Sequence, residues 1–412
     1  MNIVYTSLVY LVWFLSTYFI IVFLLSLFKL KEELFEYPPE MNGTLPKVSL
    51  IISAYNEESK IAGCLDSLKR VDYPKHLFEV LVVNDGSTDG TASVVKPYVD
   101  SGAVRLIDNA VNKGKAACLN QGIEHASGTY IACMDADSFV DADIFMKTLP
   151  YFKEKGVGAV TVSVKVKNTN TLLQKVVELE YILGLSLFLK VFSRCNCVYV
   201  TPGPFSIYRS SLLAEIGGFD AKNITEDLEI AYRIRQAGYS VACCLATAVE
   251  TIIPGNLKSL YRQRKRWYSG ALLTLWKHKS FLLTKRAGLF GVFIPFIYSL
   301  TALGMVLFVV SLYMGVSNLV RNLSYLSLTD YNVLDWIVVK SPDVLAISIF
   351  GILAISGIIG TYALLTYGMK ITEHKIRKKL VGYVGYAALF FLYQYFWFVS
   401  FFTVIFRRKV EW

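Results

Sequence analysis

Four long stretches without a charged side chain divide the chain into apolar and polar parts. They cover residues 1–28, 287–320, 344–369 and 381–406. Each exceeds the roughly 20 residues that a helix needs to cross a hydrocarbon core of about 30 Å. The polar part after the first stretch, roughly 250 residues long, is large enough to fold around its own core. The pattern therefore predicts an N-terminal transmembrane helix at 1–30, a domain at 46–256, amphipathic interface helices at 257–286 and transmembrane helices at 287–406.

The polar part alternates between strand and helix patterns. Short apolar runs occupy residues 48–53, 78–83, 104–107 and 130–134, and helical spacing follows the first three. Strands that alternate with helices form βαβ units and a parallel sheet. Ligands bind such sheets at the carboxyl ends of the strands, where polar clusters stand in this sequence. The predicted fold class is therefore an α/β, Rossmann-like domain joined to an α-helical membrane region.

Acidic side chains mark the predicted ligand edge of the sheet. Asp85 follows the second apolar run, and Asp135 and Asp137 follow the fourth. Converging carboxylates suit either a hard divalent cation or the hydrogen-bonding edges of a base and a ribose. Taken singly, an aspartate after a strand is also typical of an ordinary turn.

A further acidic pair, Glu226 and Asp227, opens a helical pattern that continues to Gln236. Thr225 is the predicted N-cap of this helix. Acids are also common at helix starts because they interact favourably with the helix dipole.

A basic segment at 263–267, reading Gln-Arg-Lys-Arg-Trp, precedes the second apolar stretch. Helical spacing places Gln263 and Trp267 on one face, with Arg266 beside them. An amide, a guanidinium and an indole together could clamp a phosphate and stack on a sugar ring. The alternative is a basic amphipathic helix on a membrane surface.

Composition and charge narrow the class of protein. With 54% hydrophobic and 18% charged residues, the chain is too apolar for a soluble enzyme, and its polar domain is larger than a pure transporter or channel needs. The net charge is +10, and the basic residues cluster at the ends of the apolar stretches. This placement indicates membrane topology and contact with lipid headgroups, not nucleic-acid binding.

The first apolar stretch has no basic residue before Lys29 and is too long for a cleaved signal peptide. It is predicted to be an anchor that leaves the amino terminus outside and the polar domain in the cytoplasm. The seven cysteines all fall in that domain without zinc-ligand spacing, so we expect reduced, buried thiols. None of the four histidines lies in a motif.

The number of membrane crossings is left open by the sequence. The stretch at 287–320 is longer than one span needs, and Pro295 could divide it into an interfacial piece and a true span. A similar piece could occupy the start of 381–406. An even number of crossings after the domain would keep the basic residues at 407–409 inside, as the positive-inside rule requires.

In this order, Asp-Gly-Ser, Asp-x-Asp, Thr-Glu-Asp and Gln-x-x-Arg-Trp, followed by membrane spans, resemble the processive inverting family-2 glycosyltransferases. That group contains the cellulose, chitin, hyaluronan and poly-N-acetylglucosamine synthases. The resemblance covers about residues 46 to 270. It implies a GT-A fold, an inverting hexosyltransferase activity on a UDP-linked sugar, and Mg²⁺ or Mn²⁺ as cofactor.

The resemblance also implies roles for residues in the matching motifs. Residues expected to hold the nucleotide sugar are Tyr55, Glu57, Asp85, Lys115, Asp135, Gln263 and Arg266. The metal would be held by Asp135 and Asp137, of which Asp137 is the more direct ligand, and the catalytic acids would be Asp227, as base, and Glu226. Acceptor-side residues are expected at Trp267, Gly203 and Pro204. Thr201-Pro202 stands where hyaluronan synthases have Cys-Ser, whereas Thr-Glu-Asp is closer to cellulose and poly-N-acetylglucosamine synthases, so the sugar stays open.

The function implied is polymerisation of a UDP-sugar, such as UDP-N-acetylglucosamine, into a β-linked polysaccharide that the membrane helices pass across the membrane. One alternative is transfer of a single sugar to a membrane lipid, as in ceramide glucosyltransferases. Another is a non-catalytic scaffold or export subunit. Expected partners are the donor, a growing glycan or lipid acceptor, and membrane lipids; an accessory subunit is possible, and no nucleic acid is expected.

Overall fold

The computed structural model describes residues 3–29, 32, 37, 43–328, 349–371 and 379–406. Its centre is one eight-stranded sheet. The strands are β1 Val48–Ala54, β2 Phe78–Asn84, β3 Arg105–Asp108, β4 Tyr130–Asp135, β5 Ser138–Val140, β6 Val157–Val166, β7 Ser206–Arg209 and β8 Ser240–Thr251. Both faces of β1 are buried, which explains why its apolar residues do not alternate with exposed polar ones and why even Ser49 is fully buried.

The strand order is β3-β2-β1-β4-β7-β6-β8-β5. The first four strands are parallel, as predicted, with Ile51 of β1 opposite Leu81 of β2 and Cys133 of β4. The sheet as a whole is mixed, because β7 runs antiparallel to β4 and β6, and β5 runs antiparallel to β8. The chain order reverses between β1 and β4, and a crevice at such a switch point is where ligands bind.

Short helices cover the sheet. They are α2 Ile61–Lys69, α3 Thr91–Asp100, α4 Lys115–His125, α5 Ile144–Thr148, α6 Leu172–Ile182, α7 Leu189–Arg194, α8 Ser210–Ile216 and α9 Glu226–Gln236. A π-helical turn, Leu183–Phe188, joins α6 to α7. The seven cysteines form no disulfide; six are buried and Cys195 is partly buried, in line with their expected role as small apolar side chains.

Five longer or later helical elements surround this domain. They are α1 Ile3–Lys29, α10 Leu257–Leu282, α11 Gly288–Leu328, α12 Ile349–Ile371 and α13 Lys379–Ile405. Two segments are long and apolar enough to cross a membrane, Ile3–Lys29 with mean hydropathy 2.4 and Lys285–Ser324 with mean hydropathy 2.2. The part of the chain that the structure describes therefore carries at least two candidate spans.

The expected division of the second apolar stretch at Pro295 is wrong. α11 continues through Pro295 for 41 residues, about 60 Å at 1.5 Å per residue. Proline removes one backbone donor near the start of this helix, and the remaining turns keep theirs. α13 is likewise continuous from Lys379. The prediction from the positive-inside rule concerns residues 407–409, which lie outside the described residues.

The basic segment at 263–267 lies in the middle of α10, which joins the sheet domain to the apolar helices. On one side, Gly270 of α10 lies so close to Thr225, the residue before α9, that a Cβ there would collide with the threonine side chain. On the other side, Tyr268 of α10 stacks on Trp397 of α13 with ring centroids 4.2 Å apart. Both contacts fix where α10 lies relative to the sheet.

Candidate active site

A cavity of about 660 Å³ opens at the carboxyl ends of β1, β2 and β4 and is closed on one side by α10. This volume is typical of sites for drug-sized ligands. Its lining includes Tyr55, Glu57, Asp85, Lys115, Asp135, Asp137, Gln263 and Arg266. All seven residues expected to hold the nucleotide sugar, and both expected metal ligands, therefore surround one cavity.

Asp85 organises the loop in front of α4. Its two carboxylate oxygens accept the backbone N–H groups of Lys113, at 2.7 Å, and Gly114, at 2.9 Å. Asp85 is buried at the end of β2, so this pair of charge-assisted bonds lies away from bulk water. The bonds hold the turn that delivers Lys115 into the cavity at the first position of α4.

Lys115 joins the two acidic motifs. Its Nζ lies 2.6 Å from Asp135 and 2.8 Å from Glu226. Burial works to lower the pKa of Lys115, but the charges of Asp135 and Glu226 outweigh it and hold the pKa above its usual value. Lys115 is thus a fixed cation in the cavity wall.

Asp137 is a poorly compensated carboxylate. Its Oδ1 receives long hydrogen bonds from Thr251, at 3.4 Å, and Ser138, at 3.5 Å, and its Oδ2 lies 4.0 Å from Lys60. Burial, followed by repulsion from Asp135, raises the pKa of Asp137 to about 6. A divalent cation at this position would supply the missing positive charge.

Asp135 and Asp137 fit Mg²⁺ or Mn²⁺ as a pair of oxygen ligands. Among the described residues, no group of three or more His, Cys, Asp or Glu side chains is arranged to hold a metal ion. Mg²⁺ does not need such a cage, because it is usually held by one or two carboxylates together with substrate phosphates and water.

Asp227 lies next to Lys115 in a small recess that also includes Gly203 and Glu226. Thr201 fixes its backbone, since both the N–H and the hydroxyl of Thr201 donate to the Asp227 carbonyl, at 2.9 and 2.8 Å. Burial, then repulsion from Glu226, raises the pKa of the Asp227 carboxyl to about 6. A carboxylate with a raised pKa is a stronger base than an ordinary aspartate.

The predicted N-cap position of Thr225 is confirmed. α9 does begin directly after Thr225, but no side-chain cap bond forms. Asn223 accepts both the N–H and the hydroxyl of Thr225, at 2.9 and 3.2 Å, and so turns the hydroxyl away from the helix.

The motif segment of α10 is only partly directed at the cavity. Gln263 and Arg266 line it, and the positive charge of Arg266 works to lower the pKa of Asp227. Trp267 does not line it; its ring lies under the guanidinium of Arg264, 4.1 Å away. The predicted three-residue clamp is therefore a two-residue clamp with the indole beside it.

The acceptor-side residues divide similarly. Gly203 lies against the ion pair of Lys115 and Asp135: a Cβ on Gly203 would stand 2.7 Å from Nζ and 2.8 Å from Oδ2. Its carbonyl accepts the Asp135 N–H at 3.1 Å. Pro204 follows in the same turn, partly exposed, and is in the lining of neither the main cavity nor the recess.

Sequence reasoning missed Arg264, which the structure makes the organiser of the motif. Arg264 is fully buried; its Nη1 donates to Gln263 at 2.6 Å and its Nη2 pairs with Glu180 of α6 at 2.8 Å. Glu180 also accepts the hydroxyl of Tyr393 on α13, at 2.5 Å. The segment 263–267 shows a second arginine at position 264, but the sequence gives no indication of its partner Glu180, which lies 84 positions away in the chain.

Lys60 and Arg262 were also missed. Lys60 pairs with Glu57 at 2.7 Å and approaches Asp137, and Arg262 lines the cavity one residue before Gln263. Lys60 follows the turn after β1, whose acidic residue Glu57 was the one predicted to belong to the site. Neither residue stands in a motif that the sequence offered.

Comparison with known proteins agrees with the geometry. Residues 49–217 match the family model described as Glycosyl transferase family 2. A poly-β-1,6-N-acetyl-D-glucosamine synthase of Staphylococcus epidermidis is 29% identical over 259 residues, covering 62% of this chain and 62% of that protein. A synthase of the same name from Staphylococcus aureus (strain COL) is 30% identical over 234 residues, 56% of either chain. The match thus spans little more than half the length of these relatives.

A solved structure shares the fold over almost the whole chain. The mannosyltransferase PcManGT from Pyrobaculum calidifontis, in complex with GDP-Man and Mn²⁺, superposes with a TM-score of 0.63 and 19% identity, covering 98% of this chain and 99% of that one. The shared fold includes the apolar helices as well as the sheet domain. Residues 49–217 of the chain therefore carry a Glycosyl transferase family 2 domain.

Proposed function

We propose that this protein is an inverting glycosyltransferase that polymerises a UDP-linked sugar, UDP-N-acetylglucosamine, into a β-linked polysaccharide and passes the product across the membrane. The sugar is suggested by the names of the synthases that the chain resembles. The observation that carries the proposal is a cavity in which fixed cations and paired carboxylates converge, with a basic aspartate in the adjoining recess that shares Lys115.

The donor would lie along the carboxyl ends of β1, β2 and β4. Tyr55, Glu57 and Asp85 lie at the end of the cavity where β1 and β2 finish, which suits the base and ribose. Gln263 and Arg266 line the side of the cavity that α10 forms, and the guanidinium of Arg266 can neutralise charge on the diphosphate there. This assignment places the nucleoside at one end of the cavity and the diphosphate at the other.

Asp227 would act as the base. The acceptor hydroxyl attacks the anomeric carbon, its proton passes to Asp227, and the bond between the sugar and the diphosphate breaks to release UDP. Because this displacement is direct, an α-linked donor gives a β-linked product. Glu226, which pairs with Lys115, would position that lysine and not accept a proton itself.

Asp135 and Asp137 would hold Mg²⁺ or Mn²⁺. When bound, the ion would neutralise charge that develops on the leaving diphosphate. Lys115, whose Nζ lies 2.6 Å from Asp135, would hold that carboxylate in place beside the ion.

The product path would begin beside Trp267 and continue among the apolar helices. α10 carries Trp267 and packs against both α11 and α13. A polysaccharide needs a protein-lined route because hydrocarbon offers its hydroxyl groups no hydrogen-bond partners. We propose a multi-pass protein of the cell membrane, with the catalytic domain in the cytoplasm where the donor is made.

The test is product analysis with separate donors. Purified full-length protein in detergent is incubated with Mg²⁺ and, one at a time, UDP-N-acetylglucosamine, UDP-glucose and UDP-galactose, and UDP release and product length are measured. Long polymer from UDP-N-acetylglucosamine alone supports the proposal. If the only product is a singly glycosylated lipid, the protein transfers single sugars and does not polymerise them. If no donor gives UDP release, both polymerisation and single transfer are contradicted. Asp227→Asn, nearly isosteric, serves as the inactive control.

A further inference from the structure

Lys60 lies between the nucleoside end of the cavity and the expected metal ligands. Its Nζ is 2.7 Å from a carboxylate oxygen of Glu57 and 4.0 Å from Oδ2 of Asp137. Both of these acids line the cavity. The side chain of Lys60 is 33% exposed and each carboxylate side chain is 23% exposed, so water screens the three charges only in part.

The turn that carries Lys60 is held in place on its nucleoside side. The backbone N–H of Lys60 donates to the carbonyl of Glu57 at 2.9 Å. The N–H of Glu57 donates to the hydroxyl of Thr91 at 2.9 Å. The carboxylate of Glu58 accepts the N–H of Gly90 at 3.0 Å. These bonds join the turn after β1 to the turn after β2, and they fix the backbone from which the Lys60 side chain extends.

Backbone packing also fixes Lys60 relative to Asp137. Gly63, three residues after Lys60 in the first turn of α2, lies against the ring of Phe139. A Cβ on Gly63 would stand 2.9 Å from that ring. Phe139 belongs to β5 and follows Asp137 by two positions. The start of α2 therefore packs against the segment that carries the expected metal ligand, and this contact keeps the ammonium near the Asp137 carboxylate.

An ammonium beside a metal ligand changes how the metal binds. A divalent cation on Asp137 would be repelled by Lys60 and would compete with it for the same carboxylate. A diphosphate offsets that repulsion, because its negative charge attracts both cations. Its oxygens also complete the coordination, since Mg²⁺ is usually held by one or two carboxylates together with substrate phosphates. Each of the two ligands, metal and diphosphate, would therefore raise the affinity of the other.

We propose that Lys60 keeps the metal site of the empty enzyme weak, so that the divalent cation binds together with the diphosphate of the donor. Lys60 belongs to none of the sequence motifs, and it acts on the metal through its charge and not as a ligand. The inference rests on the proposed function, because it takes Asp137 as a metal ligand. It adds a residue that makes metal binding depend on the nucleotide.

The test measures Mn²⁺ affinity by electron paramagnetic resonance, without UDP and with saturating UDP, in the full-length protein in detergent. Lys60→Met removes the charge at similar side-chain length, and Lys60→Arg keeps it. Lys96→Met, at an exposed position on α3, is the matched control for net charge. Asp137→Asn, made in wild type and in Lys60→Met, shows whether the measured ion is the one at Asp137. Measurements at pH 8 lie above the pKa of about 6 that Asp137 has in the wild-type protein.

Without UDP, we expect Lys60→Met to bind Mn²⁺ roughly tenfold more tightly than wild type, because the repulsion is gone. Lys60→Arg and Lys96→Met should stay within about threefold of wild type, and Asp137→Asn should remove the gain. With saturating UDP, the advantage of Lys60→Met should shrink to about threefold or less, because this variant also loses attraction for the diphosphate.

Equal Mn²⁺ affinities of wild type and Lys60→Met without UDP would overturn the proposal. A gain of the same size in Lys96→Met would do so too, since the effect would then come from net charge. A gain in Lys60→Met that is as large with UDP as without it would remove the dependence on the nucleotide. Mn²⁺ binding that is lost in Asp137→Asn but insensitive to Lys60 leaves the proposed function intact. If wild type and every variant fail to bind Mn²⁺ even with UDP, the metal assignment in the proposed function fails as well.

Discussion

Ionisation of Asp227 and of Asp137 lowers the stability of the folded protein, because each carboxylate is buried. Each carboxyl has a pKa raised to about 6, mainly by burial. Raised pKa values of this kind are typical of catalytic and binding sites. A buried carboxylate with a raised pKa destabilises the fold, so stability alone does not explain its presence. The same residues that the motifs identify thus show the electrostatic signature expected of them.

The pH dependence of turnover should show an acid limb with an apparent pKa near 6. Asp227 must be ionised to accept a proton, so transfer should fall about tenfold for each pH unit below that value. Saturating Mg²⁺ separates the two acids, since a bound cation keeps Asp137 ionised. The measurement is UDP release between pH 5 and 8, and a rate independent of pH down to 5 would remove Asp227 as the base.

Asp227→Asn should abolish turnover without loss of stability. The group's folded pKa is raised above the unfolded value of 3.8, so ionised Asp227 destabilises the fold at pH 7 and neutral asparagine does not. We expect a fall in rate of roughly 10²-fold or more with an equal or higher melting temperature. A variant that lost both activity and stability would indicate a structural role.

Gly203→Ala should reduce transfer by displacing an ion pair. The new Cβ would occupy the space beside Lys115 Nζ and the Asp135 carboxylate, both of which can move. We expect a rate on the order of tenfold lower and a higher requirement for Mg²⁺, with little change in melting temperature. Gly156→Ala, where a Cβ meets nothing within 4 Å, is the matched control.

At the scale of elements, α10 connects the candidate active site to the apolar helices. Its residues reach the cavity through Gln263 and Arg266, contact the segment before α9 through Gly270, and meet α13 through Tyr268. Arg264 holds these contacts in one arrangement, because its guanidinium bonds to Gln263 and Glu180 and covers Trp267. A planar guanidinium that donates to two partners and also stacks on a ring is not reproduced by lysine.

Arg264→Lys should therefore lower the rate of transfer while UDP affinity changes little. Lysine keeps the charge beside Glu180 but cannot also bond to Gln263 and cover the indole. We expect about a tenfold lower kcat, some 1.4 kcal/mol, and a UDP Kd within about twofold of wild type. Lys258→Arg, exposed near the start of the same helix, controls for surface charge. Unchanged kcat would show that Arg264 serves packing alone.

For the molecule as a whole, a buried acid between α9 and α10 ties the sheet domain to the motif helix. Glu229 lies 2.5 Å from Lys277, 3.1 Å from His278 and 2.8 Å from Arg233. Burial alone would raise the pKa of Glu229, but the hydrogen bonds of His278 and Lys277 and the charge of Arg233 lower it to about 2. His278, which belongs to no motif, has this structural role.

Acid stability should depend on Glu229. Because its folded pKa is depressed, its contribution is complete above the unfolded value of 4.5 and is lost as pH falls from there toward 2. Glu229→Gln should destabilise the protein at pH 7 by about 3 kcal/mol and flatten the stability curve in that acid window. Urea unfolding in detergent at pH 7, 5 and 3 measures this, with exposed Glu124→Gln as control. Parallel curves for the two variants would contradict the assignment.

Local sequence patterns are enough to predict those parts of this protein that depend on neighbours along the chain. The apolar runs of β1, β2 and β4, the acids that follow them and the motif of α10 were all readable, because strand ends and helix spacing are local properties. Their meeting in one cavity followed from the parallel arrangement of those strands.

Tertiary structure alone decided the rest. β5 and β7 are short, and their antiparallel pairing depends on contacts far along the chain, so no local pattern indicated it. The pairing of Arg264 with Glu180 and the packing of Trp267 against the Arg264 guanidinium each require knowledge of what lies next to the residue. Burial and charge compensation depend on the folded arrangement, which is why the raised pKa values of Asp137 and Asp227 appear only in the structure, whereas the motifs are local patterns of the chain.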